Sequence, residues 1–315
     1  MDHIILAKDE DASRKGDRVA CVLLDMFSQW LQSYPATAKS ALETRKSIVR
    51  FLGPQVSPDY IYSDNSKEIE RAVKDLSWDD RHDTSTPNRP STNGVVERAV
   101  RTVKEGTSAA LVQAGANPEW WADAMRYFTF VHNVTDKLAD GKTPYERRFN
   151  NTFAGPLYPF GCEIEYKPSS KKVQNEMHPL GSKLLSGIFF GYHLKTGGLY
   201  DGDLFYADWE DFAKAESVSL IPLRRVKSAE MFPKMYSGNF KFPLADGRVT
   251  QPPSPFCEDR TRNRRCRSIA WSDEIEDDAL ADNDADDGRI AELQDSEDVV
   301  QDPLEADDVQ DDVAP

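Results

Sequence analysis

Tyr60-Ile61-Tyr62-Ser63-Asp64-Asn65 joins a short apolar run of strand length to a carboxylate at its carboxyl end. Open α/β sheets usually build their sites outside the carboxyl ends of their strands, so this stretch points to a sheet and to a site at once. A helix cap supplied by Asp64 or Asn65 is the alternative.

Upstream, His3-Ile4-Ile5-Leu6-Ala7 reads as a short strand, and the polar stretch Lys8 to Arg18 predicts an exposed hairpin loop. Val19-Ala20-Cys21-Val22-Leu23-Leu24 is a near-continuous apolar run of strand length. After the turn-like Asp25 to Ser28, a second candidate strand runs from Gln29 to Tyr34 and stops at Pro35. Residues 38–52, with Ala38, Leu42, Ile48, Val49 and Leu52, have the spacing of a helix that hands over to the strand at Tyr60. Strands followed by helices imply an α/β sheet.

Downstream, Asp80 to Asn93 is polar and carries Pro87 and Pro90, the composition of a mobile loop. Val96, Val100, Val103, Ala110 and Leu111 then keep helical spacing, and past Gly115 to Pro118 a second helix runs through Trp121, Ala124, Phe128 and Val131. Together these helices can cover one face of the sheet. Beyond Pro156 the pattern changes to short apolar pieces, Cys162 to Tyr166, Ile188 to Tyr192 and Asp203 to Ala207, punctuated by glycines, which predicts a small β-barrel. From about Leu244 proline, arginine and acid dominate, with too little apolar content to offset the entropy of ordering.

The formal charge of −15 averages unlike parts. Ser268 to Pro315 holds 19 Asp plus Glu against the single base Arg289, a net −18, which leaves +3 on the other 267 residues. A slightly basic body with an acidic tail remains compatible with a polyanionic partner. Cys21, Cys162, Cys257 and Cys266 stand far apart, so neither a disulfide framework nor a zinc finger is readable, and a reduced intracellular compartment is expected. No apolar run approaches the roughly 18 residues of a membrane span, and residues 1–20 lack the apolar core of a signal peptide.

A bare Asp…Asp…Glu triplet carries no signal among 54 acidic residues, so context decides. Glu97 falls in the first turn of the helix if Asn93 is its cap, where the helix dipole favours an ionised carboxylate. Glu97, Arg101, Lys104 and Ser108 recur at spacings of four, three and four and so form one polar stripe beside the apolar face. A solvated face with a Glu97–Arg101 ion pair explains the same pattern.

Tyr62-Ser63-Asp64-Asn65, followed by Thr86-Pro87 and Pro90-Ser91-Thr92-Asn93-Gly94-Val95-Val96-Glu97-Arg98, resembles the integrase core of retroviruses and LTR retrotransposons. Val22 to Trp30 resembles that family's second strand and turn, and Lys142-Thr143-Pro144-Tyr145-Glu146 the segment that closes the copia-like core. Leu157 to Cys162 with Gly187 to Tyr192 is similar to the SH3-like β-domain that follows the core in copia-type polyproteins. The resemblance implies an RNase H-like mixed sheet flanked by helices over residues 1–150, an SH3-like β-domain over 151–230, and a disordered Pro/Arg-rich linker and acidic tail over 231–315.

It also implies metal-ligating, catalytic roles for Asp2, Asp64 and Glu97. Asp2 is preferred to Asp25 because the family's first carboxylate lies on the strand before the Val-Leu-Leu-Asp-like segment. The interval from Asp64 to Glu97 has 32 residues, slightly shorter than the roughly 35 of retroviral members, a difference the loop between Asp80 and Asn93 absorbs. Three hard oxygen ligands suit Mg²⁺, with Mn²⁺ as substitute. Two ions about 3.5–4 Å apart would serve an in-line phosphodiester displacement. The reactions so implied are 3′-end trimming of the element's DNA and strand transfer into target DNA.

Arg98, Arg101 and Lys104 are candidates for holding DNA phosphates, which fixes register without reading bases. The expected partners are element DNA ends, target DNA and further copies of the chain, and the expected location is nuclear if the chain is active. Trp120, Trp121, Phe128 and Phe130 read as core rather than base-stacking residues, and the histidines are given no functional role. Arg260, Arg262, Arg264, Arg265 and Arg267 put five arginines into eight positions, a nucleic-acid or import patch or a counter-charge to the tail. An inactive DNA-binding relic is the alternative function, expected if no segment before Met1 extends the first strand or supplies the family's HHCC zinc-binding domain. A different RNase H-fold nuclease or cut-and-paste transposase would share the metal site but not the β-domain.

Overall fold

The structure, a computed structural model, describes residues 1–6, 8–85 and 94–252. The chain divides into Met1–Asp273 and Glu274–Pro315, and only the first contains described residues. Of the loop expected from Asp80 to Asn93, residues 86–93 lie outside them, as do the arginine cluster, Cys257, Cys266 and the acidic tail, whereas His82–Thr84 form a strand because they pair with the strand before Asp64.

Residues 1–84 form a mixed α/β layer. Strand β1 (Asp2–Ile5) pairs antiparallel with β2 (Val19–Leu24), and β2 pairs antiparallel with β3 (Leu31–Ala36). The near-continuous apolar run of β2 follows from cover on both faces. Ala20 and Val22 join one buried cluster, and Cys21 and Leu23 the other. Pro35 lies inside β3 rather than ending it, because β3 is a sheet edge where a missing N–H is tolerated. Helix α1 (Ala41–Leu52) is capped by Ser40, whose hydroxyl accepts from Glu43 N–H at 3.3 Å, and buries Ile48 and Phe51 against Cys21 and Leu23. Strand β4 (Ile61–Ser63), helix α2 (Lys67–Lys74) and strand β5 (His82–Thr84) follow, with β4 and β5 parallel.

Helix α3 (Gly94–Ala114) turns Val96, Ala99, Val103, Ala110 and Leu111 inward, and Ala99 and Val103 reach Ile4 and Val22. Helix α4 (Trp121–Thr135) lies so close to α3 that a β-carbon on Gly106 would meet the Phe128 ring at 2.0 Å. Asn133 extends β3 like a strand residue, accepting from Leu31 N–H and donating to Leu31 C=O at 2.9 and 2.6 Å. Helix α5 (Pro144–Phe149) begins with a reciprocal Thr143–Glu146 capping box and packs Tyr145 and Phe149 on Trp30.

The remaining strands are β6 (Glu163–Tyr166), β7 (Leu185–Leu194), β8 (Tyr200–Asp208), β9 (Arg224–Lys227), β10 (Met231–Pro233) and the small pair β11 (Met235–Tyr236) and β12 (Asn239–Phe240). Helices α6 (Lys171–Glu176) and α7 (Trp209–Lys214) sit between them. An antiparallel ladder runs β10-β6-β7-β8-β9, with β10 and β9 as its edges.

Three expectations are corrected. Residues 8–18 are not simply an exposed loop: Ser13, Arg14 and Asp17 are buried, and Arg14 bonds Asp123 at 2.7 Å and Ile221 C=O at 3.0 Å. The sheet of β6–β10 does not stand apart from residues 1–150, since Trp120 stacks on Phe190 at 4.1 Å and Phe130 packs at a tilt against Tyr192 at 4.6 Å. Residues 231–252, assigned to a disordered linker, are part of the fold. Glu163 is wholly buried in β6, and its charge draws in Lys234 at 3.2 Å and Arg248 at 2.5 Å, while Leu244 and Val249 enter the core.

Candidate active site

Asp64 follows β4 directly and is half-buried. Its Oδ1 is buried and accepts no hydrogen bond, whereas the Ser66 N–H donates to the carboxylate. Burial and, after it, the charge of Asp2 hold the Asp64 carboxyl above the usual carboxylate range. Lys39, the Ser66 N–H and the α-ammonium of Met1 only partly offset this. Asp2 opens β1, and its carboxylate accepts from His3 N–H at 2.6 Å. The Met1 ammonium donates to Tyr62 C=O at 2.7 Å, which ties the start of β1 to β4 and so brings the two aspartates together. A desolvated carboxylate oxygen without a donor, beside a second carboxylate, marks a place short of positive charge. Hard oxygen donors in that arrangement fit a divalent cation.

Glu97 lies in the first turn of α3 and is exposed, between the buried Val96 and Ala99. Arg98 and Arg101 are exposed and Lys104 is half-buried on the same stretch of helix, with Arg98 Nε donating to Gly94 C=O at 3.2 Å. Among the described residues the one trio whose ligand atoms all lie within 4.8 Å of one another is His193, Asp201 and Asp203, in the β7–β8 hairpin. Glu97 is therefore not drawn into that range of both aspartates. The hairpin trio already holds its own cations: Lys227 Nζ is 2.5 Å from Asp203, and Arg225 is 3.0 Å from His193 Nε2. The other ring nitrogen of His193 faces Asp201 at 2.9 Å, so an ion there would have to displace established partners.

Asp25, the competitor for the first carboxylate, shapes a turn. It accepts from Phe27 N–H and from the Ser28 hydroxyl, and Arg148 stands 4.0 Å away. His3 points to the opposite face from Asp2 and meets Thr44 Oγ1 at 3.0 Å. Burial and the charge of Lys39 depress its pKa to about 4, so it is neutral at physiological pH. Trp120, Trp121 and Phe130 are core residues, and half-buried Phe128 lies on His132 and against Gly106. Ser63 stands in the Tyr62-Ser63-Asp64-Asn65 motif without an assigned role, and no sequence pattern pointed to His82 or Lys39, because short polar stretches carry no periodicity.

No protein-family model matches the chain. Its sequence is 28% identical over 141 residues to the Gag-Pol polyprotein of woolly monkey sarcoma virus, covering 42% of this chain and 8% of that polyprotein. It is 27% identical over 203 residues to the retrovirus-related Pol polyprotein from transposon RE2 of Arabidopsis thaliana, covering 58% of this chain and 13% of that one. The second match is longer than residues 1–150 can supply. Among solved structures, the catalytic core domain of BIV integrase is similar with a TM-score of 0.32 and 24% identity, over 41% of this chain and 83% of that one. The chain is thus similar in sequence to parts of retroviral and transposon Pol polyproteins. It spans less than a fifth of the length of either polyprotein.

Proposed function

We propose that this chain carries the RNase H-like catalytic core of a copia-like LTR retrotransposon integrase, which trims element DNA at its 3′ ends and joins them to target DNA. The observation that carries this reading is the buried, unpartnered Oδ1 of Asp64 beside the charge of Asp2 at the end of β4. Sequence similarity to retroviral and transposon Pol polyproteins supports it. The ladder β10-β6-β7-β8-β9 then corresponds to the SH3-like domain of copia-type polyproteins, and the match to the transposon polyprotein reaches past residue 150 in accord with that.

Asp2 and Asp64 would hold Mg²⁺, or Mn²⁺ in its place, with Glu97 as third ligand from the first turn of α3. When bound, a pair of such ions would polarise the scissile phosphate and stabilise charge on the attacking and leaving oxygens. The protein's own part is to aim Asp64 and to hold DNA. Arg98, Arg101 and Lys104 would bind phosphates, so affinity depends on salt and little on sequence. The working form is a homo-oligomer on element ends and target DNA, acting in the nucleus.

The test is strand transfer with duplexes carrying terminal-repeat ends, in Mg²⁺ or Mn²⁺. Joined products are expected from the wild type and are expected to vanish in Asp64→Asn and Glu97→Gln. Products made equally well by both variants, or by no protein at all, overturn the reading.

A further inference from the structure

We propose that Ser63 and His82 are positioning residues that form a hydrogen-bonded relay aiming Asp64, a reading that rests on Asp64 as a metal-holding carboxylate. Ser63 is wholly buried at the end of β4. Its hydroxyl has two partners, the Asp64 carbonyl at 2.8 Å and His82 Nε2 at 2.8 Å. A hydroxyl has one proton, and a carbonyl has none to give, so Ser63 donates to Asp64. His82 must then present Nε2–H to Ser63. The direction of the whole relay is fixed: His82 Nε2–H to Ser63 Oγ, Ser63 Oγ–H to Asp64 C=O.

The backbone supports the same path. Ser63 C=O accepts from Ser85 N–H at 2.9 Å, and the parallel register sets Ile61 against His82 and Ser63 against Thr84. β5 is only three residues long, His82-Asp83-Thr84, and buries none of them fully. It adds little to the core. What it does supply is a ring nitrogen and a ladder to the residues immediately before Asp64. With its carbonyl held by Ser63 and its carboxylate by the Ser66 N–H, Asp64 is fixed at two points, and Oδ1 is left bare. Groups that orient a metal ligand from behind typically cost roughly 10- to 100-fold in metal affinity or activity when removed.

Mn²⁺ binding to the full chain, followed by electron paramagnetic resonance and paired with melting temperatures, tests the relay. Wild type is expected to bind Mn²⁺ through a site that Asp64→Asn removes. Ser63→Ala and His82→Ala should weaken that site roughly 10- to 100-fold, and His82→Gln, which restores an N–H donor, should recover most of the loss. Ser63→Ala and His82→Ala binding Mn²⁺ as tightly as wild type would overturn the relay while leaving Asp64 as a ligand. Binding unchanged in Asp64→Asn would instead overturn the metal site, and the relay with it. Should Ser63→Ala fail to fold, His82→Gln against His82→Phe on the peripheral strand decides: equal affinities refute the relay.

Discussion

Asp123→Ala should be among the most destabilising single changes in this protein. Arg14 and Asp123 are 2% and 8% exposed and lie 2.7 Å apart. The guanidinium also donates to Ile221 C=O at 3.0 Å and sits 4.4 Å over the Trp120 ring. One ion pair therefore ties the loop after β1, helix α4 and the segment before β9 together. Were it exposed, its loss would cost only about 0–1 kcal/mol. Because it is buried, removing the acid strands a charge out of reach of water, which costs about 3–5 kcal/mol. That is a large part of the roughly 5–15 kcal/mol that stabilises a typical fold. At roughly 2–4 °C per kcal/mol for a fold of this size, the melting temperature should fall by roughly 6–20 °C. Urea denaturation of wild type, Asp123→Ala and the double variant Arg14→Met/Asp123→Leu measures it. The double variant should recover part of the loss, short of the full amount because Ile221 C=O loses its donor. A loss below about 1 kcal/mol in Asp123→Ala would refute the argument, since that is the worth of a solvated pair.

The remaining predictions concern the site. Burial and the charge of Asp2 raise the folded pKa of Asp64, so in the metal-free protein its stabilising contribution is full below the ordinary value of 3.8 and is lost as pH rises through the raised value. Asp64→Asn should therefore melt at or above the wild-type temperature in chelator at neutral pH, with the gap closing on acidification. A variant less stable than wild type at neutral pH would contradict this. Arg98→Glu and Arg101→Glu should weaken binding to duplexes of any sequence and flatten the salt dependence of log K by about 0.9 for each phosphate that is no longer neutralised, as fluorescence anisotropy across a salt series would show. Unchanged slopes would remove α3 from the DNA surface.

The sequence by itself determined the elements whose periodicity is strong. The unbroken apolar run of β2 announced a strand covered on both faces, the spacing from Val96 to Leu111 announced α3, and Tyr60-Ile61-Tyr62 announced a strand that delivers Asp64. Each is a local pattern, and local pattern is what a backbone repeat imposes on side chains. Tertiary structure alone decided the fate of polar residues, because a polar side chain is buried or exposed according to partners remote in the chain. Arg14 is buried for Asp123 and Ile221, Lys234 and Arg248 close over Glu163, and Gln251 bonds Gly115 and Asn117, so a stretch with the composition of a linker packs as core. β5, three polar residues with no repeat to read, exists because β4 offers it a ladder and Ser63 offers His82 a partner. The neighbours of Asp64 marked it as a candidate site residue in the sequence. What holds it in place, and what leaves one of its oxygens bare, came from interactions that no short stretch of sequence encodes.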